Sequence, residues 1–407
     1  VRFDHFGVRG ALLLVLLFLV SVSPGAGSEK AAPGGGVACG AKAETGSPSA
    51  DLLRGASVGY RIRELRHEGA RSFAYKVALW YPTGAPEKDY EYILGTAKLK
   101  TRLAVDSPVE KGSHPLVVYC HGAAGCGDAS FFLAEALARK GYIVAAPDFH
   151  DREFSSRIDT PVPRSKDRSK RIWEFIYFLR DTGLSSRSRW GRTAYSYRPI
   201  QTSETLDFLL TENQSPFSPF ASRIEPGRIA LIGHSFGAWT ALLVAGADPS
   251  YARDDIRAVI SLSGPANHQV YSVCGKNDLA SIRIPVLFLF GGREKLVKRG
   301  AGDLYLFKMA NSPKILASIN EANHFDFAGG IPPEFDTARD YIAASPRRAA
   351  LTNLCFRFLE TSLRNRPLDP VLQKSSPGVS IIDSSLRNLQ DVGLQGKSGP
   401  SRGRHLD

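Results

Sequence analysis

Arg228-Ile-Ala-Leu-Ile232, Gly233-His234-Ser235-Phe236-Gly237 and Ala238-Trp-Thr-Ala-Leu-Leu-Val-Ala-Gly-Ala247 follow one another without a break. The first piece is a short apolar run of strand character. The last is rich in Ala and Leu and has the length of a helix. A serine at the apex of such a strand-to-helix turn lifts its hydroxyl above the edge of a sheet, the arrangement of a nucleophile elbow. Side chains at 233 and 237 would collide across so sharp a turn, so the reading requires glycine at both positions. His234, adjacent in sequence to Ser235, points away from it and reads as a framework residue rather than as a base.

Outward from the elbow, apolar runs alternate with helical stretches. Strands are predicted over 115–120, 142–146, 228–232, 256–262, 285–290 and 314–319, and helices over 131–140, 200–211, 238–247, 303–310 and 347–363. Continuously apolar strands alternating with helices imply an α/β fold, a mostly parallel central sheet with helices on both faces. Residues 58–66 and 74–81 alternate in hydrophobicity, as an antiparallel pair does, and 82–86 with its two prolines reads as a turn.

The 407 residues are 43% hydrophobic and 23% charged, ordinary values for one large domain with a sizeable core. Arg2 and Arg9 precede the apolar run 11–22 and the small residues Ser23-Pro-Gly-Ala-Gly27. Residues 1–27 are expected to be a cleavable signal peptide, since spanning a bilayer takes about 20 apolar residues. Export places the protein in the periplasm or outside the cell. Residues 28–56, rich in Gly, Ala, Pro and Ser, read as a flexible leader, 57–366 as the catalytic domain and 367–407 as a disordered tail. Five cysteines leave at least one unpaired within a monomer. Cys120 and Cys126 bracket a Gly-rich turn that a disulfide would stiffen, and a free buried thiol at Cys120 is the other state open to it.

A serine nucleophile needs a base and, behind it, an acid, and after an elbow of this kind they follow in the chain as acid and then histidine. Three histidines lie beyond Ser235. His405 falls in the tail, and His268 comes too early to leave room for the acid-bearing strand. His324, in Glu321-Ala-Asn-His-Phe-Asp326, directly follows the strand 314–319 and is the expected base. Glu294 follows the strand 285–290 and is the expected acid, with Asp303 as the main substitute and Asp278 a weaker one. The tetrahedral oxyanion needs two backbone N–H donors. Phe236, after the nucleophile, supplies one; the turn His121-Gly-Ala-Ala-Gly125 supplies the other, assigned to Ala123. That turn lacks the Gly-Lys-Ser/Thr ending of a nucleotide-binding loop.

His114-Pro-Leu-Val-Val-Tyr-Cys-His-Gly122, Leu133-Ala-Glu-Ala-Leu-Ala-Arg-Lys-Gly-Tyr-Ile-Val-Ala-Ala-Pro-Asp148 and the elbow together resemble α/β-hydrolases of the dienelactone hydrolase and platelet-activating-factor acetylhydrolase groups. Val77-Ala-Leu-Trp-Tyr-Pro82 is similar to their early strand. The resemblance runs from about Tyr75 to Phe327 and implies an α/β-hydrolase fold far more specifically than it implies a substrate. Dienelactone hydrolases use a cysteine nucleophile where this chain has Ser235. The acetylhydrolases carry their acid after the strand following the nucleophile helix, where this chain has Leu262-Ser263-Gly264 and no carboxylate, which favours Glu294 on the later strand.

Between residues 150 and 198 there are 12 basic and 6 acidic residues, an excess equal to half of the net charge of +12. This segment separates a core strand from the next core helix, the place of an inserted cap, and 173–179 adds an apolar helical stripe within it. A basic cap suits anionic or amphiphilic esters or contact with an anionic surface; nothing in the chain has the pattern of a nucleic-acid-binding motif. The expected activity is an exported serine hydrolase of carboxylic esters that needs no metal or organic cofactor. The alternative is a catalytically silent hydrolase fold that binds a ligand or envelope partner through its cap.

Overall fold

The computed structural model describes residues 54–385, apart from 69–71, 95–96, 124, 150, 152–156, 161–194, 265–278, 295–300, 312, 330–344 and 365. The expected signal peptide, the expected leader as far as residue 53, nearly all of the expected cap with its 173–179 stripe, and residues 386–407 therefore lie outside the described residues.

The strands are β1 (Ser57–His67), β2 (Phe73–Thr83), β3 (Lys88–Leu94), β4 (Ala97–Val105), β5 (His114–Cys120), β6 (Ile143–Pro147), β7 (Ile224–His234), β8 (Ile256–Leu262), β9 (Val286–Gly291), β10 (Lys314–Ile319) and β11 (Val379–Ser384). The helices are α1 (Phe131–Arg139), α2 (Tyr197–Gln214), α3 (Phe236–Leu242), α4 (Ala301–Met309) and α5 (Pro346–Leu363). The strands form one sheet in the order β11-β10-β9-β8-β7-β5-β6-β2-β1-β4-β3. From β6 to β10 every neighbouring pair is parallel, whereas β2 pairs antiparallel with β6 and with β1. The chain runs from β5 outward to β6 and then returns to place β7 on the other side of β5. That reversal opens a crevice at the carboxyl ends of β5 and β7, where open α/β sheets bind ligands.

Alternate residues of β5 enter two cores. Leu116, Val118 and Cys120 pack with Leu206 and Leu209 of α2, Trp239 of α3 and Leu306 of α4. Val117 and Tyr119 pack on the opposite face with Phe132 and Leu137 of α1 and with Leu354 and Phe358 of α5. With both faces covered, every strand residue is buried, which is why this run is apolar without alternation.

Two elements depart from the sequence reading. The hairpin β3/β4 was not anticipated, because its charged residues mask an alternation that buries Tyr92, Leu99 and Leu103. Trp80 Nε1 donates to the Tyr92 hydroxyl at 2.7 Å, and that hydroxyl donates to Glu135 Oε1 at 3.0 Å, tying the hairpin to α1. The second departure is a correction: 367–407 is not disordered throughout. After α5 the chain buries Leu372 and adds β11 antiparallel to β10, with a register shift between Leu316 and Ala317. An edge strand draws its stability from a neighbour's backbone and a few anchors such as Val379, so its polar composition resembled that of a tail.

Burial raises the Glu135 carboxyl from its ordinary 4.5 to about 7, against the opposing charge of Arg139. The folded protein keeps this proton up to about pH 7, whereas the unfolded chain releases it near 4.5, so the unfolded state binds fewer protons across that window. Stability contributed by this group therefore falls as pH rises through the window. Glu135→Gln is expected to cancel that fall, about 3 kcal/mol at the usual conversion of pKa units to free energy. Urea unfolding of wild type and variant at pH 4 and pH 8 measures it.

Candidate functional site

Ser235 follows β7 directly and precedes α3 with φ +51° and ψ −120°, a left-handed conformation for a non-glycine residue that costs about 1–3 kcal/mol and persists only where its surroundings enforce it. They do so here by close approach. A Cβ on Gly233 would lie 2.2 Å from the Gly237 carbonyl oxygen, and one on Gly237 would lie 2.0 Å from that of Cys120. The Ser235 N–H donates to Leu262 O at 2.9 Å, fastening the elbow to β8.

His324 Nε2 lies 3.0 Å from Ser235 Oγ, and its Nδ1 lies 3.3 Å from Glu294 Oε2. Register explains why residues thirty positions apart meet: β9 and β10 are parallel neighbours with Gly291 opposite Ile319, and the Arg293 N–H donates to Ala322 O at 2.9 Å beyond them. The loops after the two strands are thereby joined, with Glu294 on one and His324 on the other. His324 begins a 3₁₀ turn capped by Asn323, whose side chain accepts from Phe325 N while Asp326 accepts from Asn323 N, both at 2.8 Å. His234 is buried, and burial first, then the neighbouring His324, hold it neutral, far below the ordinary imidazole value. Its Nε2–H donates to the His324 carbonyl at 3.1 Å, so it holds the backbone of the second histidine, the framework role expected of it.

The Gly-rich turn after β5 lies against this assembly. A Cβ on Gly122 would be 3.0 Å from His234 Nδ1 and 3.3 Å from Ser235 Cβ. Ala123 is half-buried and packs on the same apolar cluster as Phe236. Phe236 heads α3, where helix geometry turns the first amides out along the axis and the dipole favours negative charge. Ser235, His324 and Glu294 thus converge at the switch point of the sheet, with Ala123 and Phe236 beside them.

The model of the alpha/beta hydrolase family matches residues 117–390, more than half of the chain. The chain belongs to the alpha/beta hydrolase family. Among solved structures, a ferulic acid esterase from Streptomyces cinnamoneus is similar with a TM-score of 0.52 and 20% identity, over 82% of this chain and 99% of that one. At that identity the likeness carries the fold. No match is found among curated protein sequences.

Within this hydrolase fold, Ser263 is the residue that the sequence reading passed over. It follows β8 directly at φ +47°, at the strand end where the acetylhydrolases carry their acid. Its hydroxyl donates to Glu294 Oε2 and lies 3.1 Å from His324 Nδ1, so the carboxylate, the hydroxyl and the imidazole form a triangle. A serine directly after a strand that neighbours the elbow was the available signal. Asp303, the substitute acid, is not brought to His324. It is fully buried, its Oδ1 accepting from Ser261 Oγ and from Gly264 N, each at 3.2 Å. Burial pushes its carboxyl well above the ordinary aspartate value, so it favours the neutral form, unsuited to stabilising an imidazolium. Asp278 and His268 lie outside the described residues.

Cys120 and Cys126 are both free and buried, so the turn between them carries no disulfide; Cys120 Sγ instead lies 3.7 Å from Thr202 Oγ1. Burial raises the Cys120 thiol to about 12, which keeps it protonated and inert at the end of β5. Among the described residues no group of His, Cys, Asp and Glu forms a metal site.

Proposed function

We propose that the chain is an exported serine esterase whose acyl-enzyme forms on Ser235. The observation that carries this reading is the continuous chain from Ser235 Oγ to His324 Nε2 at 3.0 Å and from His324 Nδ1 to Glu294 Oε2 at 3.3 Å. With Nδ1–H directed at Glu294 and Ser263, Nε2 carries the lone pair that faces the hydroxyl. His324 takes the Ser235 proton as Oγ attacks the ester carbonyl, then returns it to the departing alcohol. Water loses a proton to His324, attacks the acyl-enzyme, and releases the carboxylic acid with Ser235 reprotonated. Glu294 fixes the tautomer and stabilises the imidazolium. The amides of Phe236 and Ala123 receive the oxyanion.

The basic segment 150–198 makes anionic or amphiphilic esters the favoured substrates, by steering and by its apolar stripe. A fluorophosphonate probe tests the nucleophile. One phosphonyl group per chain is expected, on the peptide containing Ser235, as read by mass spectrometry after digestion. A folded protein that takes no label, or takes it elsewhere, would refute the assignment.

A further inference from the structure

Arg198 is fully buried at the start of α2, where an unpaired guanidinium has no place. Its partners account for it. Nε and Nη2 donate to the Asp151 carboxylate, Nη1 donates to His121 O at 2.9 Å, and Nη2 reaches Gly122 O at 3.4 Å. The Phe149 and Phe236 rings sandwich the cation at 4.5 and 4.6 Å. Asp151 also accepts from the Tyr197 hydroxyl at 2.7 Å. Asp151 and Arg198 stand at the two ends of the basic insertion, so this pair also closes its base.

Gly122 O receives more than the guanidinium. His121 is held neutral by burial and by Arg198, its pKa lowered to about 3. Its Nε2 accepts from Phe149 N at 3.2 Å, leaving Nδ1–H to donate to Gly122 O at 2.8 Å. Gly125 N–H donates to the same oxygen at 3.3 Å. Three donors thus gather on one carbonyl. A trans peptide sets its N–H antiparallel to its C=O, so the N–H paired with this carbonyl, that of Ala123, is directed to the opposite side.

We infer that Arg198 is a positioning residue for the oxyanion: by binding the His121 and Gly122 carbonyls it aims the Ala123 N–H at the site above Ser235 and polarises that peptide toward a stronger donor. The inference rests on the esterase reading of Ser235. It goes further in assigning to a buried cation, remote in sequence from the turn, the orientation of the turn's donor. Charge on a carbonyl strengthens the hydrogen bond given by the same amide, as along any hydrogen-bonded chain.

The test compares wild type, Arg198→Met and Arg198→Lys in hydrolysis of p-nitrophenyl butyrate, with thermal unfolding measured on each preparation. Arg198→Met is expected to lower kcat by about 10²-fold, the size of losing one oxyanion donor, with KM within about threefold of wild type. Arg198→Lys keeps the charge but not the fork and falls between them. Affinity for an aryl trifluoromethyl ketone, which forms a hemiketal oxyanion on a serine, drops in step with kcat. A general loosening of the fold would not link those two quantities. Folded variants with wild-type kcat, or with a raised KM alone, overturn the inference. Should both variants fail to fold, Tyr197→Phe, which loosens the Asp151 clamp while keeping the ion pair, decides: a several-fold fall in both quantities supports it and unchanged values overturn it. Ser235→Ala run alongside separates the two readings. Activity surviving that change sinks the esterase itself, whereas activity lost there and intact in the Arg198 variants sinks only the role of Arg198.

Discussion

Ser235→Ala is expected to lower kcat for short p-nitrophenyl esters by about five to six orders of magnitude, the loss seen when a serine nucleophile is removed from a complete triad. That corresponds to about 7–8 kcal/mol of transition-state stabilisation. Alanine leaves His324 and Glu294 in place, but the imidazole then has only water to activate, and no acyl-enzyme splits the reaction into two easier steps. Stability is expected to change little. The left-handed backbone at 235 is enforced by the glycine contacts around it and not by the hydroxyl, and alanine carries the same Cβ. Initial rates and a thermal melt on the same preparation measure both. A variant that stays folded and retains more than a few per cent of wild-type turnover excludes Ser235 as the nucleophile.

Glu294→Gln is expected to lower kcat by about 10³-fold, toward the loss produced by the corresponding amide substitution in serine proteases. The amide brings no charge to the imidazolium and offers an N–H where His324 Nδ1–H needs an acceptor, which favours the wrong tautomer. Ser263 moderates the loss, because its hydroxyl still lies 3.1 Å from Nδ1 and accepts from it. Asp303→Asn serves as the comparison. Asp303 favours the neutral form and bonds to Ser261 and Gly264, so its amide preserves most of what it does, and kcat is expected within about threefold of wild type. Steady-state kinetics of the two variants on one ester decides the acid. A larger loss in Asp303→Asn would reverse the assignment.

Residues whose role depends on their place in the chain were legible in the sequence. The elbow declares itself because strand, glycine, serine, glycine and helix must be contiguous to make the turn, and the order of acid and histidine follows from strand order. The central strands were legible for a related reason, since burial on both faces leaves nearly every position apolar. Ser263, Arg198 and β11 were not. Ser263 gains its role only because β8 lies beside β9 and places a hydroxyl between two side chains of later loops. Arg198 looked like one more charge in a basic segment, and only packing shows it inside, between two aromatic rings. β11 has the composition of a tail and becomes a strand through an edge that β10 offers it.

Sequence alone therefore determined the α/β architecture and singled out Ser235, His324 and a carboxylate beyond β9, because covalent order and hydrophobic pattern constrain where such groups stand. Tertiary structure alone separated the positions of Glu294 and Asp303. Both follow the same strand, and one linear order serves either; the register of β9 against β10 brings Glu294 Oε2 within 3.3 Å of the imidazole and leaves Asp303 buried on Ser261 and Gly264. Spacing along a chain says which groups are available. Distance, which arises only when strands pair, determines which of them stands beside a histidine.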